Sequence, residues 1–202
     1  MSSNLAIRLL EAIRTSTETQ NALRHIYAIR KVFPPKKNIN KFIVGGAVEE
    51  SLSRLIRKCG WECQNVSSTE SVIDIVVKEG DASFPFSLKS IQKLGSAVIL
   101  ENYRGQQHAI GDLAPTILVV LEDDVATFAY VDQSTIADIP HETVYAHSDS
   151  NLSMRGGFVR KLVTSNLQRD MVVEIQAPSV PDLPERDISV LALDCVEAML
   201  RV

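Results

Sequence analysis

Residues 71–91 read SVIDIVVKEGDASFPFSLKSI, and the order of residue types in this stretch decides the fold. Two runs rich in Val, Ile and Phe, Val72–Lys78 and Phe84–Ile91, flank the turn-forming group Glu79-Gly80-Asp81. Glycine accepts the left-handed backbone that a tight connection asks for, so the stretch predicts a β-hairpin. Upstream, Trp61–Asn65 predicts a further strand. Before it, Val48, Leu52, Leu55, Ile56 and Cys59 fall on one arc at about 100° per residue, which predicts a helix over Gly46–Lys58 stopped by Gly60.

Further out, apolar residues from Leu5 to Ile29 recur at three- and four-residue steps, giving a helix over residues 3–31 with a break near Thr15–Thr19. Pro34-Pro35 ends it, and Lys36, Lys37 and Lys41 then lie in a polar, basic loop. Downstream, Ser96–Tyr103 is helical or extended. Pro115 introduces Thr116–Leu121, an apolar run of buried-strand character, and Asp123-Asp124 turns into the alternating strand Ala126–Val131. The polar region Gln133–Leu167 has no clear period. Met171–Ile175 predicts one more strand, Pro178–Pro184 a linker and Ile188–Arg201 a closing amphipathic helix. Strands interleaved with helices predict an α/β fold, a central mixed β-sheet flanked by helices. With 202 residues, the chain suits a single domain, with a core over about 40–131 and a further region over about 132–170.

Alternate strand residues share a face, so Asp74 lies in a row with Val72 and Val76, while Ser87 and Lys89 share a face opposite Phe84, Phe86 and Leu88. An ionisable group in a half-buried strand is costly to desolvate, and two on neighbouring strands invite pairing or a metal. One salt bridge at a sheet edge satisfies that demand, and so does a phosphodiester-hydrolysing centre. In the latter, a carboxylate holds a divalent cation and a lysine stands near the attacked phosphate.

The order of parts resembles the PD-(D/E)xK nuclease core of type II restriction endonucleases and some resolvases. Its helix glutamate corresponds to Glu49 or Glu50, its metal-binding aspartate to Asp74 in SVIDIVV, and its x-x-K to Ser87-Leu88-Lys89 in FSLKS. The resemblance spans roughly residues 40–105. It implies a restriction-endonuclease-like core that hydrolyses double-stranded DNA with Mg²⁺. Asp74 would be the principal metal ligand, Lys89 the cation that orients water, and Glu49 and Glu101 supporting acids. Two positions depart from the pattern: Ile73 replaces the proline, and Ser87 replaces the second acid. Ser87 would make only a weak or water-mediated contact, and Glu101, twelve residues after Lys89, is the candidate to supply the missing metal-binding carboxylate, or else a surface glutamate. Helix geometry separates the two glutamates: with Val48 at zero, Glu49 falls at about 100°, bordering the apolar arc, and Glu50 at about 200°, pointing away.

Candidate DNA contacts follow the lysine: Gln92, Lys93, Asn102, Tyr103 and Arg104, with Tyr103 able to stack or to pack in the core. Lys36 and Lys37 are candidates to clasp the backbone. Arg155 and Arg160, with Lys161, form a basic island in an acidic half, beside a polar stretch suited to a recognition loop. The resemblance favours a sequence-specific restriction enzyme acting as a homodimer on palindromic DNA. The alternatives are a structure-specific resolvase or repair nuclease, and a catalytically inactive nuclease fold serving as a binding or assembly module.

Bulk properties are compatible with these readings. Net charge is −4, but residues 1–105 hold 15 Lys+Arg against 10 Asp+Glu, a net of +5, while residues 106–202 hold 6 against 15, a net of −9. A DNA-facing surface is therefore expected mostly in the first half. No apolar run approaches the roughly 20 residues needed to span a bilayer, and the N-terminus lacks a signal pattern, so a soluble, cytoplasmic protein without membrane association is expected. Cys59, Cys63 and Cys195 have no zinc-site spacing and read as reduced thiols, and the four histidines show no ligand spacing.

Overall fold

The computed structural model of the chain describes residues 2–33, 38–66, 73–102, 114–148, 151–164 and 169–180. The first helical segment divides into α1 (Ser2–Thr15) and α2 (Glu18–Val32), with the break where the hydroxyl-rich stretch predicts it. Those hydroxyls compete for the backbone: Ser16 Oγ accepts the Glu18 N–H at 3.2 Å, and the buried Thr19 hydroxyl donates to the Ile13 carbonyl at 2.6 Å.

Helix α3 spans Asn38–Lys58 and so begins eight residues before the expected Gly46. Asn38–Lys41, expected in a loop, is helical; Lys36 and Lys37 lie outside the described residues. Val44 and Ala47 are buried and extend the apolar arc of Val48, Leu52, Leu55 and Ile56 backward past Gly45-Gly46. Packing of that arc overrides the roughly 1 kcal/mol by which each helical glycine disfavours the element. The glycine pair thus sits inside a helix, not at a helix N-terminus.

The strands are β1 (Glu62–Asn65), β2 (Ile75–Glu79), β3 (Ala82–Ile91), β4 (Val98–Asn102), β5 (Thr116–Leu121), β6 (Val125–Val131), β7 (Tyr145–His147), β8 (Asn151–Met154) and β9 (Val172–Gln176). Ser96–Tyr103, left open between helix and strand, is thus extended from Val98 to Asn102. Six strands form one sheet in the order β1-β2-β3-β5-β6-β9, in which β3 and β5 run parallel and every other neighbouring pair antiparallel. With helices packed on it, this is an α/β fold built on a central mixed sheet.

Burial on both faces explains the unbroken apolar run in β5. Ile117, Val119 and Leu121 join α1, α2 and α3 in one core; Leu118 and Val120 join a second core on the opposite face. The polar region after Val131, which shows no period, supplies that second layer. It contains α4 (His141–Val144) and α5 (Gly156–Thr164), and its hairpin β7–β8 pairs with β4 to make a three-stranded sheet in the order β4-β8-β7. Short strands of three to five residues carry too little alternation to be read alone. The closing helix expected over Ile188–Arg201 lies outside the described residues.

One feature of the sheet positions the candidate site. β3 is ten residues long, and its first half, Ala82–Phe86, pairs with β2, while its second half, Ser87–Ile91, pairs with β5 on the other side. From Ser87 onward β3 has lost its β2 neighbour, and the backbone groups on that side need other partners.

Candidate active site

Asp74 stands where β2 gives out. Its carbonyl accepts the Val66 N–H at 2.9 Å and its N–H donates to the Phe86 carbonyl at 3.0 Å, so the residue is fixed from both sides although the regular strand begins only at Ile75. Ile75 and Val77 enter the helix-side core, which turns Asp74 and Val76 to the other face, the face of Ser87 and Lys89.

The Asp74 carboxylate fills the gap left beside β3. Its Oδ2 accepts from Ser87 Oγ at 2.9 Å, from the Leu88 N–H at 2.6 Å and from Lys89 Nζ at 3.2 Å. Ser87 is fully buried, while the Asp74 and Lys89 side chains retain 19% and 22% exposure, so the ion pair is reachable from solvent. All three donors converge on one oxygen, and Oδ1 takes no hydrogen bond among the described residues. The Leu88 N–H is the contact that side-chain reasoning misses. Only the unpaired second half of β3 could have signalled it.

Glu49, on α3, lies in the field of this pair. Its carboxyl is pushed up to about 7, first by burial and then by the negative charge of Asp74, with Lys89 partly offsetting both. Glu50, one position on, is a surface residue: it receives Arg54 Nε at 2.5 Å and Asn65 Nδ2 at 3.1 Å. Glu49 and Glu50 thus differ in surroundings as their angles on the helix predict.

Glu101 is placed on β4, its backbone paired with Leu152 beside an irregularity in the ladder, but its side chain and that of Asn102 lie outside the described residues, as do Tyr103 and Arg104. Gln92, a candidate DNA contact, is engaged internally: its Oε1 accepts Arg30 Nε at 3.2 Å. Arg30 also binds Asp123 at 2.9 Å and lies over the Tyr27 ring, joining α2 to the end of β3 and to the β5–β6 turn. Lys93, Arg155 and Arg160 are exposed. Cys59 and Cys63 are free thiols, and burial raises the Cys63 thiol; Cys195 lies outside the described residues.

Among the described residues, no cluster of three or more His, Cys, Asp or Glu side chains is placed to hold a metal. Magnesium keeps several waters and needs only one or two protein carboxylates. Asp74, with one oxygen free of hydrogen bonds among the described residues and a second carboxyl in its field, fits that donor set. No helix among the described residues is long and apolar enough to cross a membrane. Comparisons with protein-family models, with curated proteins and with solved structures find no match to this chain.

Proposed function

We propose that the chain is a Mg²⁺-dependent endonuclease that hydrolyses phosphodiester bonds of double-stranded DNA, in the manner of the restriction-endonuclease-like proteins its sequence resembles. The observation that carries this reading is the Asp74 carboxylate, held by Ser87, Leu88 and Lys89 where β3 parts from β2, with Glu49 in its field. Mg²⁺ would be held by Asp74, supported by Glu49 and Glu101, and would supply Lewis-acid stabilisation of charge on the attacked phosphate. Lys89 places a cation beside that phosphate and orients the attacking water through its remaining ammonium hydrogens. Ser87 acts as a positioning residue, since its hydroxyl donates to Asp74. The resemblance further implies a homodimer on palindromic DNA and a cytoplasmic setting.

A plasmid incubated with the full chain in Mg²⁺ or in EDTA tests the proposal. Discrete fragments in Mg²⁺ alone, abolished by Asp74→Ala with an unchanged circular dichroism spectrum, are expected. Cleavage by Asp74→Ala at the normal rate rules out this active site. The convergence of all three donors on one oxygen of Asp74, with a serine at the second acidic position, favours a second reading, a catalytically inactive nuclease fold that binds DNA without cutting it. DNA binding without cleavage in Mg²⁺ selects that reading.

A further inference from the structure

Exposed cations among the described residues differ in their partners, and Arg24 on α2 donates only to the Asn21 side-chain oxygen, at 3.0 Å. On the helices, Arg8, Arg14, Arg54 and Lys58 each have a carboxylate within hydrogen-bonding distance. Lys93, Arg155 and Arg160 have none among the described residues. They come from segments about 60 residues apart in sequence, which the β4–β8 pairing, with Val98 opposite Met154, and a backbone contact bring together. The turn after β3, closed by the Ser96 N–H on the Lys93 carbonyl at 3.0 Å, presses Gly95 against Gly156, the first residue of α5. A side chain at Gly156 would overlap the Gly95 carbonyl.

Arg160 is four residues beyond Gly156 and so lies on the same face of α5. Its guanidinium rests over the turn: a Cβ built on Gly95 would stand 3.0 Å from the nearest Arg160 Nη and 3.3 Å from Nε. Gly95 has φ +90°, a conformation open to glycine, and its missing Cβ leaves the guanidinium its seat. Lys93 is in that same turn. Arg155 immediately precedes Gly156 and is anchored by Nε donating to the Tyr145 carbonyl at 2.7 Å, which leaves its terminal nitrogens without a partner among the described residues. Three cations without acidic partners therefore sit on one joint between the two layers of the fold.

We infer that Lys93, Arg155 and Arg160 form a single anion-binding surface that takes consecutive backbone phosphates of a DNA strand. Resting on the endonuclease reading, this assigns the surface to the substrate strand on the side of the Asp74–Lys89 centre toward which β3 runs. Lys93 is four residues past Lys89. At about 3.3 Å per strand residue that separation is at most about 13 Å, about four nucleotides along a strand at 3.4 Å each. The one carboxylate in contact with this turn, that of Glu122, is taken up by the Leu94 N–H at 3.2 Å and pairs with none of the three cations, so among the described residues their counter-charge is left to a ligand such as a polyanion.

The test is fluorescence anisotropy of a labelled 30-base-pair duplex with the full chain in EDTA, across a salt series. Each phosphate contact contributes about 0.9 to the slope of log affinity against log salt, or about eightfold in affinity at 0.1 M. Lys93→Ala with Arg160→Ala should lower the slope by about 1.8 and the affinity about sixtyfold, whereas Lys93→Arg with Arg160→Lys should keep both. Arg54→Ala, at a cation already ion-paired, should change neither. Binding and Mg²⁺-dependent cutting by the wild type with an unchanged slope in the double alanine variant overturns the phosphate surface and leaves the nuclease reading standing. An equal loss in Arg54→Ala also overturns it. A wild type that neither binds nor cuts DNA overturns both.

Discussion

Two adjacent glycines at the start of α5 should respond to the same substitution with opposite signs. An ideal Cβ on Gly156 overlaps the Gly95 carbonyl oxygen and lies 2.6 Å from its carbonyl carbon, closer than the roughly 3.0 Å that real Cβ atoms keep. Both neighbours are backbone, so no side chain can swing aside, and the turn that carries Gly95 is closed by its own hydrogen bond. Forcing a methyl into such a contact costs about 3 kcal/mol, against which the helix preference of alanine returns at most about 1, for a net loss of about 2 kcal/mol in Gly156→Ala. A Cβ on Gly157 meets nothing within 4 Å and its φ is negative, so Gly157→Ala gains up to about 1 kcal/mol. The variants should then differ by about 3 kcal/mol, or roughly 6–12 °C in midpoint for a chain of this size. Urea and thermal unfolding followed by circular dichroism read this difference. If the two variants agree to within about 0.5 kcal/mol, α5 does not abut the turn after β3 as described, and the joint that assembles Lys93 and Arg160 is refuted with it.

Other consequences are more local. The Glu49 carboxyl titrates near 7 in the fold against an ordinary 4.5, so between those values the folded state holds more protons and stability falls as pH rises, by up to about 3 kcal/mol, with the loss complete above about pH 7. Glu49→Gln should flatten the profile of urea midpoint between pH 5 and 8; an unchanged profile would show that Glu49 is not the group that titrates. Ser87→Asp places a second carboxylate beside Asp74 at a fully buried position and should cost on the order of 3 kcal/mol in EDTA. Saturating Mg²⁺ should return about 2.7 kcal/mol at a hundredfold excess over its dissociation constant, measured as a thermal shift larger than that of the wild type. An equal Mg²⁺ shift in both proteins counts against a cation at this position. Arg30→Ala loses its bonds to Gln92 and Asp123 and its place over Tyr27, for a loss of about 1–2 kcal/mol. Its duplex-binding salt slope should stay at the wild-type value, since Arg30 is committed inside the protein, and a fall of about 1 would place Arg30 on the DNA instead.

What the sequence discloses about this site, and what it withholds, follows from the range of the interactions involved. Asp74, Ser87 and Lys89 are legible because a hairpin converts short sequence separation into cross-strand contact and alternation assigns each side chain a face. Glu49 is legible for the analogous helical reason, its angle to the arc of Val48 and Leu52. The length of α3 is not, because Gly45-Gly46 argues locally for a boundary that the burial of Val44 overrides. The capture of Gln92 by Arg30 and the contact of Gly95 with Gly156 join residues about 60 positions apart and leave no periodic trace. The Leu88 N–H is invisible for a different reason: every residue but proline has one, and only the topology shows that this one lacks a strand partner. The exchange of β2 for β5 at Ser87 thus does two things at once. It leaves a backbone donor that a carboxylate must satisfy, and it opens the sheet where that carboxylate and Lys89 still reach solvent. The residues of the candidate centre are readable in the sequence, while the reason this part of the sheet brings them together lies in the strand order.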